Sequence, residues 1–386
     1  MKVVSVTGEK DWKVFHRVPH RIYRNDPNWI APPESDVRGI FSPDKNKAFD
    51  QGAARLFYLL DEAGKPAGRI AAFLDHGRNA QLKFPIGGVG FFECVDRADY
   101  ADALFQKAED WLAAEGVKAI DGPINFGERE RYWGLLEKGF DPPLFQENYH
   151  PRYYKAFFTN RGYQPFEQVL TFKGTSRESN VERFRRIARL SAKRYGLHAE
   201  HFDLKNIDRM AAEFCTVYNR AFAEKEHFKP LTVDQMRNLF KEFLPIADEE
   251  ATSMAYHDDR PVALCVFLPD INPFLRFARG KLNWWTLPIF MLRFRLARTK
   301  AIKGIAFGVD PDYHGRGAFP VVIAKMMKDH FFAKYPTFYM AGIRSYNKIM
   351  VDSILNLQVK IDRVHVAYRK MLDPKVAFEP HEFMEV

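Results

Sequence analysis

The segment Gly304–Lys334 holds the residue types and spacing best suited to chemistry. Gly304–Val309 (GIAFGV) reads as a short apolar strand, Asp310–Tyr313 (DPDY) as a turn, and His314–Phe319 (HGRGAF) as a small glycine-bearing loop. Pro320 follows near the start of a helix, where a missing N–H costs little. Phe319, Val322, Ile323, Met326, Met327 and Phe331 then recur at helical spacing. A glycine loop that opens a helix presents several backbone N–H groups together, and the helix dipole adds partial positive charge. Phosphate is the natural ligand of such a loop. Gly315 and Gly317 let an anion approach the backbone, and Arg316 adds charge. The loop is not a Walker loop, because no GxxxxGKS/T occurs, and it lacks the third glycine of a dinucleotide fingerprint.

Other chemistries find less support. His201, His227, His257, His314, His330 and His365 show neither i, i+4 pairing nor HExxH, so no metal site is expected. No GxSxG occurs, which leaves a serine hydrolase unsupported. Cys94, Cys215 and Cys265 lie far apart without a CxxC, so a zinc ribbon and a disulfide framework are excluded, and reduced thiols in a cytoplasmic protein are the simple reading.

The elements around the loop recur. Arg55–Asp75 and Thr252–Asp270 each read as a strand, a tight polar turn, a strand and a final Leu-Asp or Leu-Pro-Asp. Gly87–Ile124 and Lys303–Ile343 each run strand, loop, helix, strand, and both halves end in a further strand, Pro165–Phe172 and Lys360–Lys370. One α+β unit therefore occurs twice. The polar stretch Lys173–Asn180 separates the copies, giving domains 1–175 and 199–386 joined by a basic helical connector, 176–198. That connector helix spans Val181–Tyr195, is stopped by Gly196, and carries Val181, Phe184, Ile187, Ala188 and Leu190 on one stripe. Its arginines and lysines form a solvated face or an anion-binding surface.

With this order in view, Phe307–Lys328 resembles motif A of the GNAT (GCN5-related N-acetyltransferase) superfamily, whose loop reads R/Q-x-x-G-x-G/A. In that register Gly317 is the central glycine, His314 stands for the usual Arg or Gln, and Phe319 for the usual small residue. Thr337–Ile343 would be the following strand, and Asn347 matches the motif B Asn that contacts pantetheine. The resemblance covers Ala199–Leu372 well and extends weakly to Lys2–Lys173, where Asp96–Tyr100 (DRADY) runs straight into a helix without a glycine loop. It implies two tandem domains, each a mixed, mostly antiparallel twisted sheet flanked by helices, the first a degenerate copy. It also implies acyl transfer from acetyl-CoA or another acyl-CoA to a small-molecule amine. The pantetheine would lie along Phe307, Gly308 and Val309, and the pyrophosphate over Gly315–Phe319, including Arg316 and Ala318. The usual acid Tyr is replaced by Ile354, leaving Tyr346 as a substitute acid; Tyr368 is another by type only. Asp270, at the end of the hairpin strand, and Glu226 are candidate bases. Two degraded copies and a non-standard loop also fit a non-catalytic ligand-binding protein.

The chain has 386 residues, of which 46% are hydrophobic and 15% aromatic, enough for two cores and too many for a disordered chain. Net charge is +9, which favours an anionic partner such as a phosphorylated cofactor or a membrane surface. The stretch 273–300 holds seven basic residues and no acid, with Trp284, Trp285 and Leu287–Leu292 at its centre. Such an insertion either packs on its own domain or lies on a membrane surface, where it could select a long acyl chain or an acyl carrier protein. It is the only nucleic-acid candidate, and no nucleic-acid partner is expected. The N-terminus lacks an apolar signal segment, and the longest charge-free apolar stretch, Leu282–Leu292, is too short to span a bilayer. A cytoplasmic location is expected.

Overall fold

The computed structural model describes residues 1–175, 177–223, 230–297 and 299–386. Among the described residues thirteen strands form one sheet: β1 Lys2–Ser5, β2 Gly52–Leu60, β3 Pro66–Asp75, β4 Ile86–Cys94, β5 Ala119–Gly122, β6 Leu135–Lys138, β7 Gln164–Thr175, β8 Leu197–Glu200, β9 Thr252–His257, β10 Arg260–Pro269, β11 Ala301–Val309, β12 Thr337–Arg344 and β13 Lys360–Met371. Their order across the sheet is β1-β2-β3-β4-β5-β13-β7-β12-β11-β10-β9-β8, with β6 beside β13.

The repeated unit is visible in this order. Each half contributes an antiparallel hairpin, β2–β3 and β9–β10, turned by Gly64 at φ +72° in one and Asp258 at φ +52° in the other. Each hairpin leads into a strand, a helical crossover and a parallel strand. The helix Ala98–Ala114 joins β4 to β5, and the helices Ala318–Met326 and Asp329–Lys334 join β11 to β12. Buried Leu104, Phe105, Ile302, Val322 and Phe338 belong to a core that runs along both halves.

The last strands depart from a simple tandem arrangement. β13, the C-terminal strand, pairs with β5 of the first half, whereas β7, the last strand of the first half, pairs with β12 of the second. The two exchanged strands then pair with each other from Lys360↔Lys173 to Arg369↔Gln164. The two sheets are thereby one continuous sheet, and neither half keeps a free inner edge.

The connector helix Val181–Tyr195 starts at Asn180, whose side chain accepts from Arg183 N, and ends at Gly196 with φ +66°. Val181 and Phe184 are buried, but Leu190 points to solvent. The stripe is narrower than its apolar residues suggest because only one edge of this helix meets the helix Ala318–Met326. Among the described residues no helix is long and apolar enough to cross a membrane.

Candidate active site

β11 pairs with β10 along almost its whole length but with β12 only from Ala301↔Thr337 to Gly304↔Met340. Beyond that rung β12 turns toward β7, and the two parallel strands part. The parting begins at a bulge: Val266 faces Ala306 and Phe267 faces Gly304, so Ile305 is the extra residue. The resulting wedge leaves Phe307, Gly308 and Val309 without a β12 partner. Phe307 packs its ring on Phe267 and Phe319, with centroids 5.5 and 6.5 Å away, and Gly308 lies against Ala221 and Val217. The first half has the same two features, a bulge between Arg69 and Ala71 against β4 and parallel pairing that stops at Gly88↔Asp121. There the chain itself fills the gap. Ile124 N donates to Val89 O at 2.9 Å, and a Cβ on Gly90 would stand 1.9 Å from Ile124 O.

At the open end of the β11–β12 wedge lies the glycine loop. Gly315 and Gly317 have φ of +73° and +79°, values that L side chains resist. A Cβ on Gly317 would also meet Ser191 Oγ of the connector helix at 2.2 Å, whereas Gly315 faces open space. Gly317 caps the helix Ala318–Met326 without a side-chain bond. Among the described residues the amides of Gly315, Gly317, Ala318 and Phe319 take no protein partner, while Arg316 N is used by Tyr313 O at 3.2 Å. Phe319 is buried against Phe184, so the loop carries a large side chain by turning it into the core. His314 and Arg316 are exposed, with Arg316 resting 5.2 Å from the Tyr313 ring. Tyr313 is fixed by a 2.9 Å bond between its hydroxyl and His257 Nδ1. Asp310 anchors the turn by accepting from Arg220 at 3.0 Å and Arg260 at 2.6 Å. Burial pushes its carboxyl up, but those two guanidinium groups hold it below the usual carboxylate range. Free amides at a helix N-terminus, beside two strands that part, fit a diphosphate carrying a linear arm.

A buried polar group extends from the closed end of the wedge back to the start of β11. Asp270 follows β10, and its amide donates to Ala301 O at 2.9 Å. Its carboxylate accepts from Asn272 N at 3.2 Å. Burial pushes its pKa up to about 6. Lys303, one residue before the last β11–β12 rung, donates to Phe145 O at 2.6 Å. Burial pulls the Lys303 ammonium down, against the pull of Glu147 and Asp270. Glu147 accepts from Thr171 at 3.1 Å and from Arg363 at 3.5 Å. Its burial is outweighed by Lys303 and Arg363, so its pKa lies below the usual range. His365, beside it, is held toward the neutral form by burial. The segment carrying Phe145 and Glu147 comes from the first half and lies over the sheet where the exchanged strands meet. A partly open cavity of about 50 Å³ adjoins it, lined among others by Ile30, Arg69, Glu93, Phe145, Glu147 and Asn272. Glu93 accepts from Tyr23 at 2.7 Å and Tyr154 at 2.8 Å, and burial pushes it up to about 7.

The other sequence candidates lie apart from this group. The Tyr346 hydroxyl donates to Glu167 at 3.0 Å, and its ring stacks on His381 at 4.1 Å. Burial and the Glu167 charge raise its pKa, which makes the proton harder to give. Asn347 caps the helix Lys348–Leu355, accepting from Met350 N at 3.4 Å. Glu226 lies outside the described residues, as does His227. Among the described residues no group of three potential metal ligands occurs. Sequence reasoning passed over Lys303, Glu147, Arg363 and Glu93. The signal for Lys303 was present: one charge in the apolar strand AIKGIAFGV, which a doubly covered sheet tolerates only with partners. Tyr149 and His150 also line the cavity.

A tandem GNAT protein from the clavulanic acid biosynthesis pathway superposes with a TM-score of 0.56 at 11% identity, over 96% of this chain and 98% of that one. A GCN5-related N-acetyltransferase from Sphaerobacter thermophilus gives 0.50 at 11% identity, over 96% of each chain. This is a tandem GNAT fold. No protein-family model matches the chain. By sequence it is 26% identical to the bacterial ceramide synthase of Caulobacter vibrioides, over 96% of this chain and 98% of that protein. It is 24% identical to protein YghO of Escherichia coli, over 83% of this chain and 81% of the relative.

Proposed function

We propose that the chain is an acyl-CoA-dependent N-acyltransferase whose acceptor is the amine of a long-chain amino alcohol. One observation carries the reading: along β11 a loop of free amides at the open end of the wedge is followed by buried Lys303 at its closed end, with Asp270 at the start of the strand and Glu147 above it. The tandem GNAT fold and a full-length relative named for ceramide synthesis agree on acyl transfer, and a ceramide is by definition an N-acylated long-chain amino alcohol. Three free cysteines, all buried, agree with work in the reducing cytoplasm, where coenzyme A is found.

Acyl-CoA, when bound, supplies an activated acyl carbon. Gly315, Gly317, Ala318 and Phe319 bind the diphosphate through their amides, with Arg316 and His314 at its rim, and Phe307–Val309 align the arm. Asp270 takes the proton from the acceptor ammonium; a carboxyl pushed up to about 6 is matched to that task near neutral pH. The amine lone pair then forms the amide bond as the carbon–sulfur bond breaks. Lys303 gives a proton to the leaving sulfur and takes up the one that the new amide nitrogen sheds, its buried ammonium being easier to deprotonate than an exposed one. Glu147 and Arg363 fix the charge around Lys303. Tyr346, tied to Glu167, serves as a wall of the molecule rather than the acid.

The test is thiol release and amide formation with purified protein, acyl-CoA of several chain lengths and a long-chain amino alcohol. A new amide, dependent on acyl-CoA, is expected. Coenzyme binding without any amide from a panel of long-chain and short amines would sink the reading and leave a ligand-binding protein.

A further inference from the structure

The helix Thr286–Ala297 is apolar on two opposite faces. Phe290 and its partly buried neighbours Met291 and Phe294 turn inward onto Ile30, Ile271 and Leu275. Ile289, Leu292 and Leu296, spaced i, i+3 and i+7, turn outward and are 45%, 58% and 74% exposed. Trp284 and Trp285 prolong the outward surface at 73% and 65% exposure, their rings stacked 4.0 Å apart. Arg293 and Arg295 flank the stripe on either side, and exposed Lys281 and Lys300 stand beyond its two ends. Glu34 N donates to Gly280 O at 2.7 Å and Asn272 donates to Pro143 O at 2.7 Å, so the segment is anchored to the first half as well as to its own domain.

An outward row of Leu, Ile and Trp is costly in water, and isolated soluble chains rarely keep one. We propose that this surface docks on an anionic phospholipid bilayer. The charge decides the occupant: every ionic group of the stretch 273–300 is basic, so a second copy would bring like charges together, whereas an anionic leaflet complements them. The helix lies in the interface with its outer stripe among the acyl chains, Trp284 and Trp285 at headgroup level and the arginines reaching phosphate. The inner face of the same helix shares a cluster with Ile30 and Phe145, and those two residues line the cavity that holds Glu147. Docking thus sets the cavity wall against the bilayer, and a lipid amine passes from the membrane to Asp270 between Ile30, Phe145 and Asn272. This last step rests on the acyl-transfer reading; the docking does not.

The experiment is co-sedimentation of the full chain with vesicles of phosphatidylcholine, alone or mixed with phosphatidylglycerol. The native chain is expected to bind the mixed vesicles and to be released by salt. The variant W284A/W285A/L292S/L296S is expected to bind at least about tenfold more weakly, with unchanged turnover of a short, water-soluble amine and unchanged Tm. No binding of the native chain, or equal binding of the variant, overturns docking at this surface. So does light scattering that shows the native chain to be a dimer and the variant a monomer. Vesicle binding by a chain that acylates no amine leaves docking in place and removes the acyl-transfer reading alone.

Discussion

Ionising Asp270 works against folding. Its pKa is about 6 in the folded protein, pushed up by burial from an ordinary carboxylate value of 3.8. A raised acid pKa makes the folded state bind the proton more tightly, so the stability it withholds grows as pH rises from about 4 to 6 and stays withheld above. Asp270→Asn removes that penalty. Thermal melts should show the variant gaining on the native chain between pH 4 and pH 8, while kcat falls by about 10²–10⁴ if Asp270 is the base. The acid limb of kcat/KM, near pH 6 in the native enzyme, should vanish in the residual activity. Glu147→Gln predicts the opposite balance. Lys303 and Arg363 would stay buried without their shared carboxylate, and denaturant titration should show a loss of about 3–5 kcal/mol. Asp270 was legible in the sequence because a carboxylate closing a hairpin strand is a plain local feature. Glu147 was not: it belongs to a loop segment of the first half, and only the folded chain brings it over Thr171 and Arg363.

The wedge and the loop belong to the scale of elements. Gly315 and Gly317 read alike in sequence, but their surroundings differ. Gly315→Ala adds only the strain of a left-handed backbone, about 1–2 kcal/mol, and should weaken coenzyme binding little. Gly317→Val adds the same strain and drives a side chain into Ser191. Calorimetry should show coenzyme A binding at least about tenfold weaker in that variant, and equal affinity would remove the loop from the site. The strand–loop–helix order was legible because the shift from an apolar strand to i, i+3, i+4 spacing is a sequence property. The bulge at Ile305 was not, because one extra residue in a strand leaves no mark in the apolar pattern.

At the scale of the molecule, the exchange of β7 and β13 determines how stability is shared. Both strands were legible as the last element of each repeat, but nothing in that order names the neighbour, so the exchange was invisible in the sequence. Removing 360–386 strips a partner from β5 and from β7 at once. Calorimetry of the intact chain should therefore show one cooperative transition, and the truncated chain should lose both halves together rather than the second alone. The exchange also makes the covalent link between the halves dispensable. Were the gene divided between β7 and the connector helix, each product would carry the strand that completes the other. Neither would complete its sheet alone, yet together they would form an interlocked pair, so one polypeptide becomes an obligate two-subunit protein without any new contact.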